Sequence, residues 1–252
     1  MVLINGHNLY YESSGPEDAP ALVLLHHGLG STRAWKDQAP ALAKAGYRLV
    51  VYDRWGYGRS DVRVNFSFPG FEDDLDDLKC LLAYLGIEQA GFIGHSDGGT
   101  IALYYAAQYP QRVLCLVTVA AHIYAELEML PSMAGIIWAF EHDPHTQEGL
   151  RRAHGSKADA LVRTWYENWL VPDVMSWDMR PLLRSITCPA LVIQGDADEH
   201  AKAQHAADIA ESIHGAELWL VPNVAHMVPQ DAPDLFNARV IDFLKNTIGV
   251  VQ

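Results

Sequence analysis

The sequence predicts an α/β protein: a doubly wound, mostly parallel sheet with a helical lid inserted after the sixth strand. Three observations carry that expectation. Short, continuously apolar runs alternate with longer segments of helical period, the pattern of strands covered on both faces by helices. One stretch, residues 122–185, breaks the alternation and shows no strand pattern. Finally, a chain of 252 residues, 50% hydrophobic and 19% charged, suffices for one large core.

Taken in order, Val2–Ile4 and Leu9–Tyr11 flank Asn5-Gly6-His7-Asn8 and predict an antiparallel hairpin at one edge. Ala21–His26 is the first buried strand. A helical segment around Trp35–Ala45 stops at Gly46, and Tyr47–Asp53 is the next strand. Phe71–Leu85 spaces its apolar residues by three or four, and Glu72, Asp73 and Asp74 suit the positive end of a helix dipole. Gly91–His95 reads as a strand and Gly99–Tyr109 as a helix ended by Pro110. Val113–Val119, Ala190–Gln194 and Leu218–Val221 supply the remaining strands, and Pro233–Thr247 a closing helix with proline in its first turn. Residues 1–121 and 186–252 therefore form the core, and residues 122–185 the helical cap.

That cap segment holds four of the seven Trp and four of the six Met. Large apolar side chains on an insertion suit a lid over a pocket, and they suit plain packing against the sheet equally well. Trp138 and Trp165 are the candidate pocket residues among them.

Composition excludes several functions. Eighteen basic residues stand against 31 acidic ones, a net charge of −13, and no Lys/Arg cluster offsets it, so no nucleic-acid partner is expected. The start Met1–His7 lacks a basic region followed by an apolar run, so no signal peptide is expected. The longest apolar stretch, Val113–Ala121, is too short for a membrane span. Cys80, Cys115 and Cys188 have apolar neighbours and no metal-ligand spacing, and read as reduced core residues of a cytoplasmic protein.

The chemistry concentrates in Gly94-His95-Ser96-Asp97-Gly98, a G-x-S-x-G motif between a strand and a helix. Reversing the chain in so few residues strains Ser96 and requires small neighbours two positions away. The turn lifts the Ser96 hydroxyl above the carboxyl ends of the strands. A serine needs a base and an orienting acid. His226 follows the last strand, and Asp196, Asp198 and Glu199 follow the strand before it.

At this point the chain resembles the α/β-hydrolase fold superfamily, of the serine carboxylesterase type, over nearly its whole length. The family order of serine, acid and histidine is matched by Ser96, Asp198 and His226. The family's acid lies three residues past the strand-ending glycine, which selects Asp198 and leaves Asp196 and Glu199 as solvated loop charges or turn formers. His27-Gly28-Leu29-Gly30 is similar to the family's oxyanion loop, which implies that the Leu29 and Asp97 N–H groups hold the developing oxyanion. Asp53-Arg54-Trp55-Gly56-Tyr57-Gly58-Arg59-Ser60 resembles a family turn whose glycines serve backbone geometry. His226 with Pro233 and Phe236 matches the terminal pattern.

The resemblance implies an acyl-enzyme mechanism with neither metal nor organic cofactor. Glu141-His142-Asp143-Pro144-His145 carries metal-like letters in a proline-containing loop, and no metal site is read there. His26 and His27 are expected to hold the oxyanion loop by hydrogen bonds, while His95 is a candidate substrate contact. His200 and Glu199 depart from the family pattern.

Asp97 places a carboxylate beside a forming oxyanion, so its side chain must turn away or meet a cation. It either caps a helix or receives the ammonium of an amino-acid ester. Ser96-Asp97-Gly98-Gly99, with Cys188-Pro189-Ala190-Leu191, is similar to the valacyclovir-hydrolase-like branch, which favours such esters. The expected activity is therefore a carboxylesterase for small or medium esters, acting as a monomer or small homo-oligomer. A C–C bond or lactone hydrolase and a non-turnover ligand-binding receptor are the alternatives. The net charge disfavours polyanionic esters.

Overall fold

The computed structural model describes residues 1–249. Strands β1 (Val2–Ile4) and β2 (His7–Ser14) form the edge hairpin, followed by β3 (Ala21–Leu25), α1 (Gln38–Lys44) and β4 (Arg48–Asp53). Next come α2 (Glu72–Tyr84), β5 (Ala90–His95), α3 (Asp97–Gln108) and β6 (Val113–Val119). Four helices separate β6 from the next strand: α4 (Leu130–His142), α5 (Pro144–His154), α6 (Ala158–Trp169) and α7 (Arg180–Leu183). The chain then returns through β7 (Ala190–Gly195), α8 (Ala203–Ser212), β8 (Glu217–Val221), α9 (Val228–Asp231) and α10 (Pro233–Thr247).

The eight strands make one sheet in the order β1-β2-β4-β3-β5-β6-β7-β8. Pairing is antiparallel from β1 through β2 to β4 and parallel from there onward. Successive strand side chains point to opposite faces, and the apolar runs fill both. Val23, Leu25, Phe92 and Val192 pack under α2, α3 and α8. Leu22, Leu24, Ile93 and Ile193 pack under α1 and α10. A third apolar cluster joins Met129, Met133, Trp165 and Trp169 of the inserted segment to Leu29 and Phe68 of the core.

Three local differences from the sequence reading have simple causes. The helix expected over residues 35–45 is divided. Thr32–Trp35 makes a tight turn whose Ser31 side chain accepts from the Arg33 N–H, and α1 begins only at Gln38, with Pro40 in its first turn. The β2 strand continues to Ser14 because it pairs with β4 along residues 10–14. Helix α8 was not anticipated, since its buried stripe is only His205, Ala206 and Ile209. Within residues 122–185 no strand forms beyond an isolated bridge between Tyr124 and Asp178.

The turn from β5 into α3 sets Ser96 at φ 54° and ψ −121°, a conformation that L-residues seldom adopt. Close backbone approach enforces it. A Cβ on Gly98 would lie 2.1 Å from the Leu25 carbonyl oxygen, and one on Gly94 would lie 2.2 Å from the Gly98 carbonyl oxygen. Neither neighbour is a side chain that could swing aside. Gly98→Ala is therefore expected to lower stability by about 1–3 kcal/mol, read as a reduced urea midpoint at unchanged slope.

Candidate active site

Ser96 and His226 line the same cavity, of about 240 Å³, at the carboxyl edge of the parallel strands. The His226 ring is fixed from below: Nδ1 lies 2.9 Å from Asp198 Oδ2 and 3.1 Å from Oδ1. Asp198 is itself held by the backbone N–H groups of His200 and Ala201 at 2.8 and 3.1 Å, and by the Gln194 side-chain amide at 2.6 Å. Burial alone would push the Asp198 carboxyl up, but the His226 hydrogen bond and these donors outweigh it and hold the carboxyl below its ordinary range. The carboxylate is thus ionised and aimed at the imidazole.

The two loops that bring acid and histidine together are themselves interlocked. A Cβ on Gly195 would lie 2.2 Å from the Val224 carbonyl oxygen and 2.3 Å from that of Ala225. Glu199, expected to be a solvated loop charge or turn former, instead accepts the His226 N–H at 3.2 Å through Oε2 and faces His200 Nε2 at 3.3 Å through Oε1. Asp196 acts as a turn former, accepting the Asn223 N–H at 2.7 Å. His200 stands edge-on to His226, with ring centroids 4.6 Å apart, and lines the cavity.

The other histidines separate by role. His26 Nδ1–H donates to the His27 carbonyl at 2.8 Å, while its Nε2 accepts the Arg54 N–H at 3.1 Å, so His26 does brace the loop. His27 faces the cavity, and burial together with repulsion from His226 pushes its imidazole down to about 3. His95, expected as a substrate contact, is fully buried behind the cavity wall. It donates to the His226 carbonyl at 3.0 Å and so positions that loop. Trp138 is a second correction. It is 62% exposed and stacks on His142 on the outer face of α4, whereas Trp165 does line the cavity with Met129, Met133 and Trp169. In the segment with metal-like letters, Asp143 caps α5 by accepting the N–H groups of His145 and Thr146.

Asp97 is buried on the cavity wall, and its carboxylate makes no cap hydrogen bond to α3. It meets a cation instead. Arg54 Nη2 approaches Asp97 Oδ2 at 3.4 Å, and His122 Nε2 lies 3.6 Å from Oδ1. Arg54 is shared with Asp74 at 3.3 Å, and Asp74 also takes Arg63 at 2.8 Å. Burial raises the Asp97 carboxyl above its ordinary range despite the opposing Arg54 charge. The same corner explains Gly28. A Cβ there would lie 2.4 Å from Trp165 Nε1 and 2.9 Å from Asp97 Oδ2. Sequence reading missed Arg54 as the partner of Asp97, and it missed His154, which lies against the oxyanion loop with Nε2 3.0 Å from the Leu29 carbonyl.

Comparison with known proteins agrees with this architecture. The family model described as the alpha/beta hydrolase fold matches residues 20–141. The serine hydrolase BPHL of Mus musculus is 31% identical over 253 residues, covering 97% of this chain and 85% of its own length. The chain belongs to the α/β-hydrolase fold family. More distant members include a 2-hydroxy-6-oxo-6-phenylhexa-2,4-dienoate hydrolase of Comamonas testosteroni, 27% identical over 94% of this chain and 91% of its own. The enol-lactonase of Burkholderia xenovorans LB400 shares the fold at a TM-score of 0.78 and 24% identity, with 97% of this chain and 99% of that one covered. As an α/β-hydrolase, the chain carries its family's strand order with a helical segment between β6 and β7. Among the described residues, no helix is long and apolar enough to cross a membrane.

Proposed function

We propose that this hydrolase is a serine carboxylesterase for small or medium esters. The observation that carries the reading is the fixed pair of Asp198 and His226, facing the same apolar cavity as the strained Ser96. Asp198 accepts from His226 Nδ1–H, which leaves Nε2 as the nitrogen able to take a proton. In the proposed sequence, Ser96 Oγ attacks the ester carbonyl while His226 removes its proton. His226 then returns that proton to the departing alkoxide, and water attacks the acyl-enzyme by the reverse proton path. Asp198 stabilises the imidazolium formed at each stage.

The Leu29 and Asp97 N–H groups serve as the oxyanion donors in this reading. Both residues border the cavity, and Asp97 opens α3, where an N–H has no partner within the helix. One such donor supplies about 3 kcal/mol of transition-state stabilisation. Residues 122–185 act as the cap, since Met129, Met133, Trp165 and Trp169 supply the apolar wall opposite Ser96. The relatives' printed names, a serine hydrolase among them, are consistent with nucleophilic serine chemistry.

Asp97 refines the substrate class. It is the carboxylate on the cavity wall, its contact with Arg54 is long, and Arg54 is shared with Asp74. An ammonium group on the substrate would complete its compensation, and the net charge of −13 favours cationic over anionic esters.

Turnover of p-nitrophenyl acetate and butyrate tests the activity. Wild type is expected to exceed Ser96→Ala by at least about 10³-fold, whereas equal rates would defeat the esterase reading. The ammonium site is tested with an α-amino ester and its desamino analogue. Asp97→Asn is expected to lose about tenfold more on the amino ester, a difference that matches one charge-assisted hydrogen bond. Equal losses on both esters would remove Asp97 from substrate recognition.

A further inference from the structure

His154 ends α5, in the inserted segment, yet it is almost completely buried against the core. Its two ring nitrogens have different partners. Nδ1 accepts the Gly58 N–H at 2.9 Å, and Nε2 lies 3.0 Å from the Leu29 carbonyl oxygen. A backbone N–H can only donate and a carbonyl can only accept, so the geometry fixes one neutral tautomer with the proton on Nε2. The bridge therefore joins three segments: the end of α5, the turn after β4, and the His27–Gly30 loop.

The loop has few other anchors. Gly30 N–H donates to the His27 carbonyl at 3.0 Å, and that carbonyl also receives His26 Nδ1–H and Arg54 Nη2 at 2.8 and 3.4 Å. All of these fix the start of the loop. At its centre, the Leu29 carbonyl is held by His154. The residue whose N–H is assigned to the oxyanion is thus tied to the inserted helices rather than to the sheet.

We propose that His154 is a positioning residue that sets the Leu29 end of the oxyanion hole, so that the hole is fully formed only when the inserted segment is docked on the core. The proposal rests on the esterase reading for its kinetic consequence, though the bridge is a matter of geometry. Lys157 supports the same docking, its ammonium donating to the Tyr57 carbonyl at 3.1 Å and to the Ser60 carbonyl. Charged and titratable groups facing His154 are Lys157 on its own side and Asp53, Tyr57, His26 and His27 from the core. Burial, with Lys157 adding to it, holds the imidazole below its ordinary range and so favours the neutral form the bridge requires. Coupling of this kind makes the cap part of the hole, and substrate closure under the insertion and readiness for the oxyanion become one event.

The test compares His154→Leu, which removes both hydrogen bonds, with His154→Gln, whose amide retains one acceptor and one donor on a planar group. With p-nitrophenyl butyrate, His154→Leu is expected to lower kcat about tenfold or more while KM changes less than about twofold. Part of one oxyanion donor's effect is then lost without loss of binding. His154→Gln is expected to recover kcat to within about threefold of wild type. Amide hydrogen exchange over residues 27–30 should accelerate in His154→Leu and return toward wild type in His154→Gln. A His154→Leu enzyme with wild-type kcat, or a Gln variant as impaired as Leu, overturns the proposal. If His154→Leu does not fold, the Gln variant decides alone: recovery of kcat and of loop protection supports the bridge, and loss of both refutes it. If wild type proves no faster than Ser96→Ala, the esterase reading falls by itself. Loop exchange then judges the bridge, with unchanged protection in His154→Leu counting against it.

Discussion

The contact on which the rest of the structure depends is between two pieces of backbone. Where α3 leaves the turn, Gly98 lies so close to the end of β3 that any side chain would meet the Leu25 and His26 carbonyls. That proximity brings the Ser96 turn and the His27–Gly30 loop side by side at the carboxyl edge of the sheet. The strain at Ser96 is tolerated because helix and strand are buried on every side, with Ile101, Ala102 and Leu103 of α3 fully covered. Nucleophile placement and sheet packing are consequently one constraint.

A second constraint is electrostatic. Setting an acidic residue directly after the serine puts negative charge where negative charge is about to develop, and the fold answers with a buried arginine. Arg54 reaches Asp97 and Asp74 together, while Arg63 takes the other side of Asp74. Removing a single member of such a set leaves a buried charge uncompensated, which is far more damaging than the net value of the pairing suggests. The pocket floor therefore tolerates little variation, whereas its apolar wall, built from flexible Met129 and Met133 beside rigid Trp165 and Trp169, can adapt to different acyl groups.

Much of the sheet was legible because β3, β5 and β7 are buried on both faces and read as unbroken apolar runs. The edge hairpin was legible from Asn5-Gly6, which take the positive φ values of 49° and 89° that its turn demands. Helix α8 was not, because its buried positions are small or polar and give a weak periodic signal. In the site, Ser96, Asp198 and His226 announce themselves because each sits in a local chain pattern at the end of a strand. Arg54 and His154 do not, since their partners lie 43 and 125 positions away and depend on which face the insertion presents. Trp138 shows the same limit from the other side. A large aromatic on a helical segment reads as buried, but periodicity does not say which flank of α4 meets the core.

The claim at the centre of this account is that Ser96 alone carries covalent chemistry. The most direct measurement is stoichiometric reaction with a fluorophosphonate, followed by peptide mapping and residual ester turnover on the same sample. One adduct per chain is expected, located on Ser96, with activity falling in proportion to labelling. An adduct on a different serine, or full labelling of Ser96 with turnover intact, would contradict it.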